Sequence, residues 1–512
     1  MRKRLVCSVS LLVLLTACAK PGAPTREESA GLAAPAEYPA PMVENNEKYD
    51  GKDVSNVVRV AEAPVSTFAV DVDTGAYANA RRMLTQGQRP PAAAVRTEEL
   101  VNYLRYDNPL PADRSKPFSI TTDVSTTPWN PKSRLLRIGL RAYDVPRAER
   151  PAANLVFLID VSGSMDEPDK LPLVKSALRM VADHMRSDDK VSIVVYAGAA
   201  GLVLSPTSNP AEVRQALDQL QAGGSTAGGE GIALAYDTAR ASFIKGGINR
   251  VILATDGDFN VGISDTKDVE ALVKQNKDDG ITLTTLGFGE GNYNDAMMEH
   301  IADVGNGNYA YIDSSAEARK VLDEELSSTL FTVAQDVKMQ VEFNPSQVSQ
   351  YRLIGYEDRA LAEEDFNNDA VDAGDIGAGH QVTALYEIVP AGETGWLPDR
   401  HFNANNKSLV ATNGNANDLV WLKLRYKLPG GKESQLIEQA IPASAVTQAK
   451  APTGDLAFVE GVAAYGQILR GDKYLGRFSL ADARQLVGHP NDDRRQEFVE
   501  LTKLAELARA AE

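Results

Sequence analysis

The chain has 512 residues, of which 43% are hydrophobic and 24% charged, a composition typical of a globular protein with room for about two to four domains. Its formal net charge is −17. A negative charge of this size argues against nucleic acid as a partner, because proteins bind phosphate backbones through basic surfaces.

Residues 1–17 have the pattern of an export signal. The basic start MRKR precedes the apolar run LVCSVSLLVLL, which is too short to span a membrane. The sequence LTAC then ends at Cys18 and resembles the lipobox of bacterial lipoproteins, whose cysteine becomes the lipidated N-terminus. The resemblance implies a lipid anchor on Cys18, and Ala19 resembles the pattern for sorting to the outer membrane. An ordinary signal peptide with an unrelated cysteine is the alternative.

Residues 18–63 are rich in proline, alanine, glycine and glutamate and show no apolar periodicity, which predicts a disordered tether. Cys7 leaves with the signal segment, so Cys18 is the one cysteine that remains. An intramolecular disulfide is therefore impossible in the mature chain.

Residues 64–151 predict a small α/β segment that leads into sheet strands. A strand is expected at Ser66–Val72, a helix from about Gly75, and a second helix in RTEELVNYLRYD with Thr97 as its cap. The apolar stripe of that second helix consists of Leu100, Tyr103 and Leu104. Two alternating runs, FSITTDVSTTPW and SRLLRIGLRAYDV, predict strands of a half-exposed antiparallel sheet.

Residues 152–330 predict a doubly wound α/β domain with a mainly parallel sheet. Short apolar runs such as NLVFLID, KVSIVVYAG and NRVILATD alternate with amphipathic helical patterns such as LPLVKSALRMVADHM. Fully apolar strands between amphipathic helices indicate a sheet that is covered on both faces.

Alternating β patterns, which predict antiparallel strands of a sheet with one exposed face, return over residues 331–450, and residues 451–512 have helical patterns. Because similar strands precede the α/β unit, the simplest architecture is a β-sandwich with an inserted α/β domain and a helical C-terminal region.

Oxygen-bearing side chains cluster where three strands of the predicted parallel sheet end. The run NLVFLIDVSGS ends in Asp160, Ser162 and Ser164; Thr226 lies in the loop GGSTAGGEG, and Asp256 lies in LATDGDFNVG. Ligands of doubly wound sheets bind beyond the carboxyl ends of the strands. Five oxygen side chains on three glycine-containing loops suit a hard cation.

This set resembles the metal-ion-dependent adhesion site (MIDAS) of von Willebrand factor type A (VWA) domains. That pattern is Asp-x-Ser-x-Ser, then a threonine, then an aspartate before glycine, and every position is filled here. The resemblance implies a VWA fold and a bound Mg²⁺, with Mn²⁺ or Ca²⁺ as alternatives. It also implies an open coordination position for a Glu or Asp of a partner protein. A metal-free loop, in which Ser and Asp cap the next helix, is the alternative.

Other polar signals are weaker. The loop at residues 363–375 resembles a calcium loop at Asp365, Asn367 and Asp369, but Ala370 and Ile376 depart from the EF-hand pattern, which favours a solvated loop. The histidines show no metal-binding spacing, and His184 is expected to be exposed. The sequence DVSGSM lacks the Gly-x-Ser-x-Gly motif of serine hydrolases.

The flanking sequences TFAVDVDTGAYANARRML, RTEELVNYLRYDNP and DAGDIGAGHQVTALYEI resemble bacterial VWA lipoproteins that have N- and C-terminal domains of their own. We therefore expect a non-enzymatic envelope protein, lipid-anchored to the outer membrane and facing the periplasm, that binds a protein ligand through its metal site. A metal-dependent envelope hydrolase and a structural envelope protein with a vestigial site are the alternatives.

Overall fold

The structure is a computed structural model that describes residues 46–70, 73–224, 228–257, 266–325, 330–398 and 415–510, together with residues 328 and 400. The signal segment 1–17, Cys18 and the first part of the predicted tether lie outside the described residues.

The described secondary structure comprises strands and helices in the following chain order. The strands are β1 (Val58–Arg59), β2 (Val65–Ala69), β3 (Phe118–Thr126), β4 (Arg134–Ala142), β5 (Ala153–Asp160), β6 (Lys190–Tyr196), β7 (Ala200–Thr207), β8 (Ile248–Thr255), β9 (Thr282–Phe288), β10 (Tyr309–Ile312), β11 (Thr332–Phe343), β12 (Val348–Ile354), β13 (Ala360–Leu361), β14 (Gly374–Gly377), β15 (Gln381–Pro390), β16 (Asp418–Lys427) and β17 (Ser434–Pro442). The helices are α1 (Gly75–Thr85), α2 (Thr97–Asn102), α3 (Leu171–Asp183), α4 (Pro210–Gln219), α5 (Gly228–Ala241), α6 (Thr266–Asp278), α7 (Asp295–Val304), α8 (Ser315–Arg319), α9 (Ser444–Thr447), α10 (Gly454–Arg470), α11 (Leu480–Val487) and α12 (Asp493–Ala510).

The α/β domain is built on a six-stranded sheet in the order β10-β9-β8-β5-β6-β7, in which only β7 is antiparallel. Strand β5 shows why the sequence is almost wholly apolar here. Leu155 and Phe157 face one core with α3 and α4, whereas Val156 and Leu158 face the opposite core with α5, α6 and α7. Both faces are covered, which confirms the predicted doubly wound domain.

The strands on either side of this domain form one β-sandwich. β2 pairs with β11 in the sheet β13-β2-β11-β16-β17, and β4 pairs with β15 in the sheet β1-β12-β15-β4-β3. Aromatic rings join the two sheets, since the Phe343 ring lies 4.2 Å from the Tyr351 ring and 5.3 Å from the Tyr386 ring, measured between centroids. The predicted insertion of the α/β domain into a sandwich is therefore confirmed.

The prediction of a half-exposed sheet is wrong for β4 and β15, which are buried along almost their whole length. Helices cover the outer face of their sheet. Leu135 and Leu385 on that face share a core with Leu100 of α2 and with Phe458 and Phe498 of the C-terminal helices. The predicted C-terminal helical region is thus part of a helical layer that also contains α1 and α2.

Two local expectations also differ from the structure. Thr97 is the first residue of α2 and not its cap. Arg96 occupies the capping position, and its side chain makes no capping bond. The tether ends earlier than predicted, because residues 46–63 contact the folded chain. Asn46 N donates to Gly291 O at 2.8 Å, and β1 pairs with β12. Backbone hydrogen bonds hold this segment, and the spacing of apolar residues in a sequence does not predict such bonds.

The part of the chain that the structure describes contains no helix with both the length and the apolar character needed to cross a membrane.

Glu460 of α10 provides a test of the contact between the helical layer and the sandwich. It is fully buried, accepts a hydrogen bond from the Ser125 hydroxyl of β3, and burial raises its pKa to about 8. A carboxyl with a raised folded-state pKa contributes stability that is complete below its unfolded pKa and is lost as the pH rises through 8. Between pH 5 and 9, we expect the wild type to lose ~4 kcal/mol of unfolding free energy that Glu460→Gln retains. Urea unfolding of both proteins at each pH measures the difference, and parallel pH profiles would contradict it.

Candidate metal centre

The first loop of the predicted site begins at the end of β5. Val161 N donates to Tyr196 O at 3.0 Å, and Gly163 N donates to Gly224 O at 3.1 Å. These bonds turn the chain back over the carboxyl edge of the sheet after Asp160. The residues after the turn, Gly163–Asp166, form a short 3₁₀ helix that precedes α3.

The Asp160 carboxylate is fully buried and held from both sides. Its Oδ1 accepts from Ser162 N at 2.8 Å, and its Oδ2 accepts from the Thr255 hydroxyl at 3.1 Å. Burial raises the pKa of this carboxyl, and the nearby Asp256 carboxylate adds to the increase, while the bonds from Ser162 oppose it. Such bonds fix the orientation of a carboxylate toward a metal site.

The Ser162 and Ser164 hydroxyl oxygens lie 3.1 Å apart. Neighbouring ligands of an octahedral Mg²⁺ shell, with metal–oxygen distances of about 2.1 Å, lie about 3 Å from each other. Ser162 is almost fully buried, whereas Ser164 is partly exposed. The pair therefore has the spacing of two adjacent ligands at the surface of the domain.

Asp256 follows β8, which lies directly beside β5 in the sheet with Ile159 opposite Ala254. This register brings the two aspartates to the same edge. Asp256 is fully buried. Gly257 follows with φ +86°, and a Cβ there would lie 2.5 Å from Asn294 N, so glycine is required for this turn.

The structure therefore brings together four of the five predicted ligands: Asp160, Ser162, Ser164 and Asp256. The fifth, Thr226, lies outside the described residues, in the gap at 225–227 between Gly224 and α5. Among the described residues, no cluster of three or more His, Cys, Asp or Glu side chains could hold a metal ion. A metal at this edge would thus need hydroxyl ligands beside the two carboxylates, and such a donor set fits a hard divalent cation.

Sequence analysis missed one residue of this region, Lys170. Its ammonium donates to Asp256 Oδ2 at 3.0 Å, and its side chain is 8% exposed. Lys170 directly precedes α3, where the helix dipole disfavours a cation. A lysine at the start of a predicted helix was the available signal in the sequence.

The weaker polar signals lie away from this edge or have other partners. In the acidic loop, Asp369 accepts from Arg425 at 3.0 Å, and Asp372 accepts from Lys277 at 2.6 Å. A basic side chain therefore occupies Asp369, one of the three residues that resemble a calcium loop. His184 follows the C-terminal end of α3, at the opposite edge of the sheet.

A doubly wound sheet with this serine and aspartate arrangement at its carboxyl edge defines a VWA domain. The family model described as von Willebrand factor type A domain matches residues 154–325. The model described as von Willebrand factor matches residues 43–137, and the one described as "Uncharacterized protein YfbK, C-terminal" matches residues 328–507.

The flanking regions place the chain more narrowly. It is 47% identical over 471 residues to the Escherichia coli (strain K12) protein described as "Uncharacterized protein YfbK", and the match covers 90% of this chain and 81% of that protein. The chain belongs to the YfbK family.

Two solved structures resemble the chain more distantly. A von Willebrand factor type A protein from Catenulispora acidiphila is 20% identical, with a TM-score of 0.42, over 78% of this chain and 91% of that one. Proximal thread matrix protein 1 from the mussel byssus, with a zinc-occupied MIDAS motif, is 22% identical, with a TM-score of 0.29, over 34% and 45% of the two chains.

Removal of one hydroxyl tests the ligand set with little effect on the fold. We expect Ser162→Ala to weaken Mg²⁺ binding about tenfold or more, because it removes one of the candidate ligands. Titration calorimetry with Mg²⁺ measures this, and Ser205→Ala on the exposed part of β7 is the matched control. Asp160→Asn and Asp256→Asn should weaken binding further, since each removes a charge. Equal Mg²⁺ affinity in Ser162→Ala and the wild type would exclude Ser162 as a ligand.

Proposed function

We propose that the chain is a lipid-anchored envelope protein that binds a protein partner through a divalent metal ion at the carboxyl edge of its VWA domain. The ion, with Mg²⁺ the best fit, is held by Ser162, Ser164, Asp160 and Asp256, and Thr226 is proposed as the fifth member. The partner contributes a Glu or Asp carboxylate to the open coordination position.

The observation that carries this proposal is the geometry of the serine pair beside two buried carboxylates. The hydroxyl oxygens have the 3.1 Å spacing of adjacent metal ligands, and both aspartates are fully buried. Buried carboxylates at one edge are costly unless a positive charge compensates them. Lys170 compensates the charge of Asp256 in part. A bound dication supplies the remaining compensation and the attraction for an outside carboxylate. Ser164 is partly exposed, so a partner can approach the edge from its side.

Grooves on both sides of this edge offer a surface for a protein partner. One groove, with a volume of about 480 Å³, lies between the start of α3 and the segment 220–222 and is lined by Lys175 and Arg179. The other, of about 380 Å³, lies between α1 and the residues Asp169 and Gly289. A partner at the metal would therefore meet surfaces of both the VWA domain and α1.

Capture of envelope proteins tests the proposed function. The whole mature chain is immobilised and exposed to an envelope extract of the source cells in Mg²⁺, and bound proteins are then eluted with EDTA and identified. Ser205→Ala should capture the same proteins as the wild type, whereas Ser162→Ala should capture them much more weakly. In the identified partner, one Glu→Gln or Asp→Asn change at the contact should abolish binding.

The alternatives give different results in the same experiment. Binding that persists in excess EDTA, or that is equal in Ser162→Ala and Ser205→Ala, would contradict a metal-dependent binding surface. It would favour a structural protein with a vestigial site.

Anchoring through Cys18 makes a separate prediction. Lipidation and the cleavage that accompanies it both need the thiol, so Cys18→Ala should leave the protein unprocessed or release it from the membrane fraction. Cys7→Ala, within the signal segment, is the matched control and should fractionate like the wild type. Membrane association and processing of Cys18→Ala identical to those of the control would refute the lipid anchor.

A further inference from the structure

We propose that Lys170 sets the ligand preference of the metal centre: its ammonium leaves the metal-loaded centre with one positive charge, which an anionic ligand cancels and a neutral ligand does not. Lys170 is not part of the MIDAS pattern. The inference rests on the proposed function, because it assigns a role at the same metal centre.

Lys170 is built into the centre rather than placed at its surface. Its ammonium lies 3.0 Å from Asp256 Oδ2, and the exposed fractions of the two side chains are 8% and 0%. The stem of Lys170 packs on Gly289, where a Cβ would lie 2.4 Å from the lysine Cε. Gly289 has φ +71°, so both its conformation and the lysine favour glycine there.

The location of the Lys170 ammonium is energetically unfavourable in two respects. Burial of an ammonium is costly, and the start of α3 presents the positive end of a helix dipole. Asp256 offsets these costs through a charge-assisted bond. An apolar or neutral side chain of similar length would fill the same space without the costs of burial and of the helix dipole. The observed lysine therefore points to a role for its charge.

In the described contacts, the ammonium bonds one candidate ligand, and the other candidate ligands have different partners. Lys170 bonds Asp256, whereas Ser162 and Ser164 bond each other, and Asp160 is held by Ser162 N and Thr255. Three other described carboxylates lie near this face. Asp166 and Glu167 are exposed, and Glu290 pairs with Arg82.

A formal charge balance gives the consequence. Among the described residues of the centre, two buried carboxylates and one buried ammonium leave one negative charge. A dication turns this into one positive charge, and one carboxylate from a ligand brings the centre to neutrality. A neutral amide would leave the positive charge in a poorly solvated site, which is the less stable arrangement. Without Lys170 the loaded centre is already neutral, and an incoming carboxylate makes it negative.

Removal of the charge should therefore change two affinities in opposite directions. We expect Lys170→Met to bind Mg²⁺ about tenfold more tightly, because a like charge a few ångströms from the ion is removed. The same variant, loaded with Mn²⁺, should bind acetate about tenfold more weakly, while its weak binding of acetamide should not change. Calorimetry measures the Mg²⁺ affinity, and water-proton relaxation of the Mn²⁺-loaded whole chain measures displacement of bound water by acetate or acetamide.

Three further variants make the test specific. Lys170→Arg keeps the charge and should retain wild-type affinities. Lys170→Gln is a second uncharged variant, to be used if Lys170→Met does not fold. Lys190→Met removes a lysine at the start of β6, at the opposite edge of the same sheet, and it should leave both affinities within about twofold of wild type.

The outcomes separate this inference from the proposed function. Wild-type affinities in Lys170→Met, with Mg²⁺ binding still weakened in Ser162→Ala, would overturn the role of Lys170 and leave the metal centre standing. Absence of Mg²⁺ binding in every variant would overturn the proposed function itself. Mg²⁺ binding by Lys170→Met but not by wild type would overturn both, because the ammonium would then replace the ion.

Discussion

The fold depends on one pairing constraint: strands from before and after the α/β domain lie side by side in the sandwich. Thr67 pairs with Gln340 in one sheet, and Arg137 pairs with Leu385 in the other. The chain must therefore leave the sandwich and return to it at adjacent positions. A parallel sheet with crossover helices allows this. β5 starts at the amino edge of the sheet, and α8, which follows the carboxyl end of β10, runs back toward that same edge. The loops with the candidate metal ligands consequently lie at the opposite edge.

Buried ion pairs orient the inserted domain against the surrounding helices. Arg96 bonds Asp295 of α7 at 2.6 Å, and Arg81 of α1 bonds Glu317 of α8 at 2.7 Å, with both carboxylates 1% exposed. Desolvation offsets much of the attraction in such pairs, but an unpaired buried charge is very costly. The pairs therefore select one orientation of the domain more than they add to its stability.

The same contacts extend toward the metal edge. Glu47, in the segment that precedes β1, accepts from Arg82 of α1 at 2.9 Å and from Gly291 N at 3.1 Å. Gly291 belongs to the loop after β9, and Gly289 at the start of that loop packs against Lys170. Elements outside the VWA domain thus support the loop beside Asp256. The electrostatics of the centre depend on more of the chain than its five-residue motif.

Local sequence patterns determined much of the fold of this protein. The period of the apolar residues shows which faces of an element are buried, and the spacing of polar residues shows which oxygen-bearing side chains follow a strand. They were sufficient for the doubly wound domain, its insertion, and the edge shared by Asp160, Ser162 and Asp256. Tertiary structure alone decided the burial of β4 and β15, which depends on helices distant in sequence. It also decided the contact of Lys170 with Asp256, 86 residues away, because only packing of α3 beside the sheet places that charge at the metal edge.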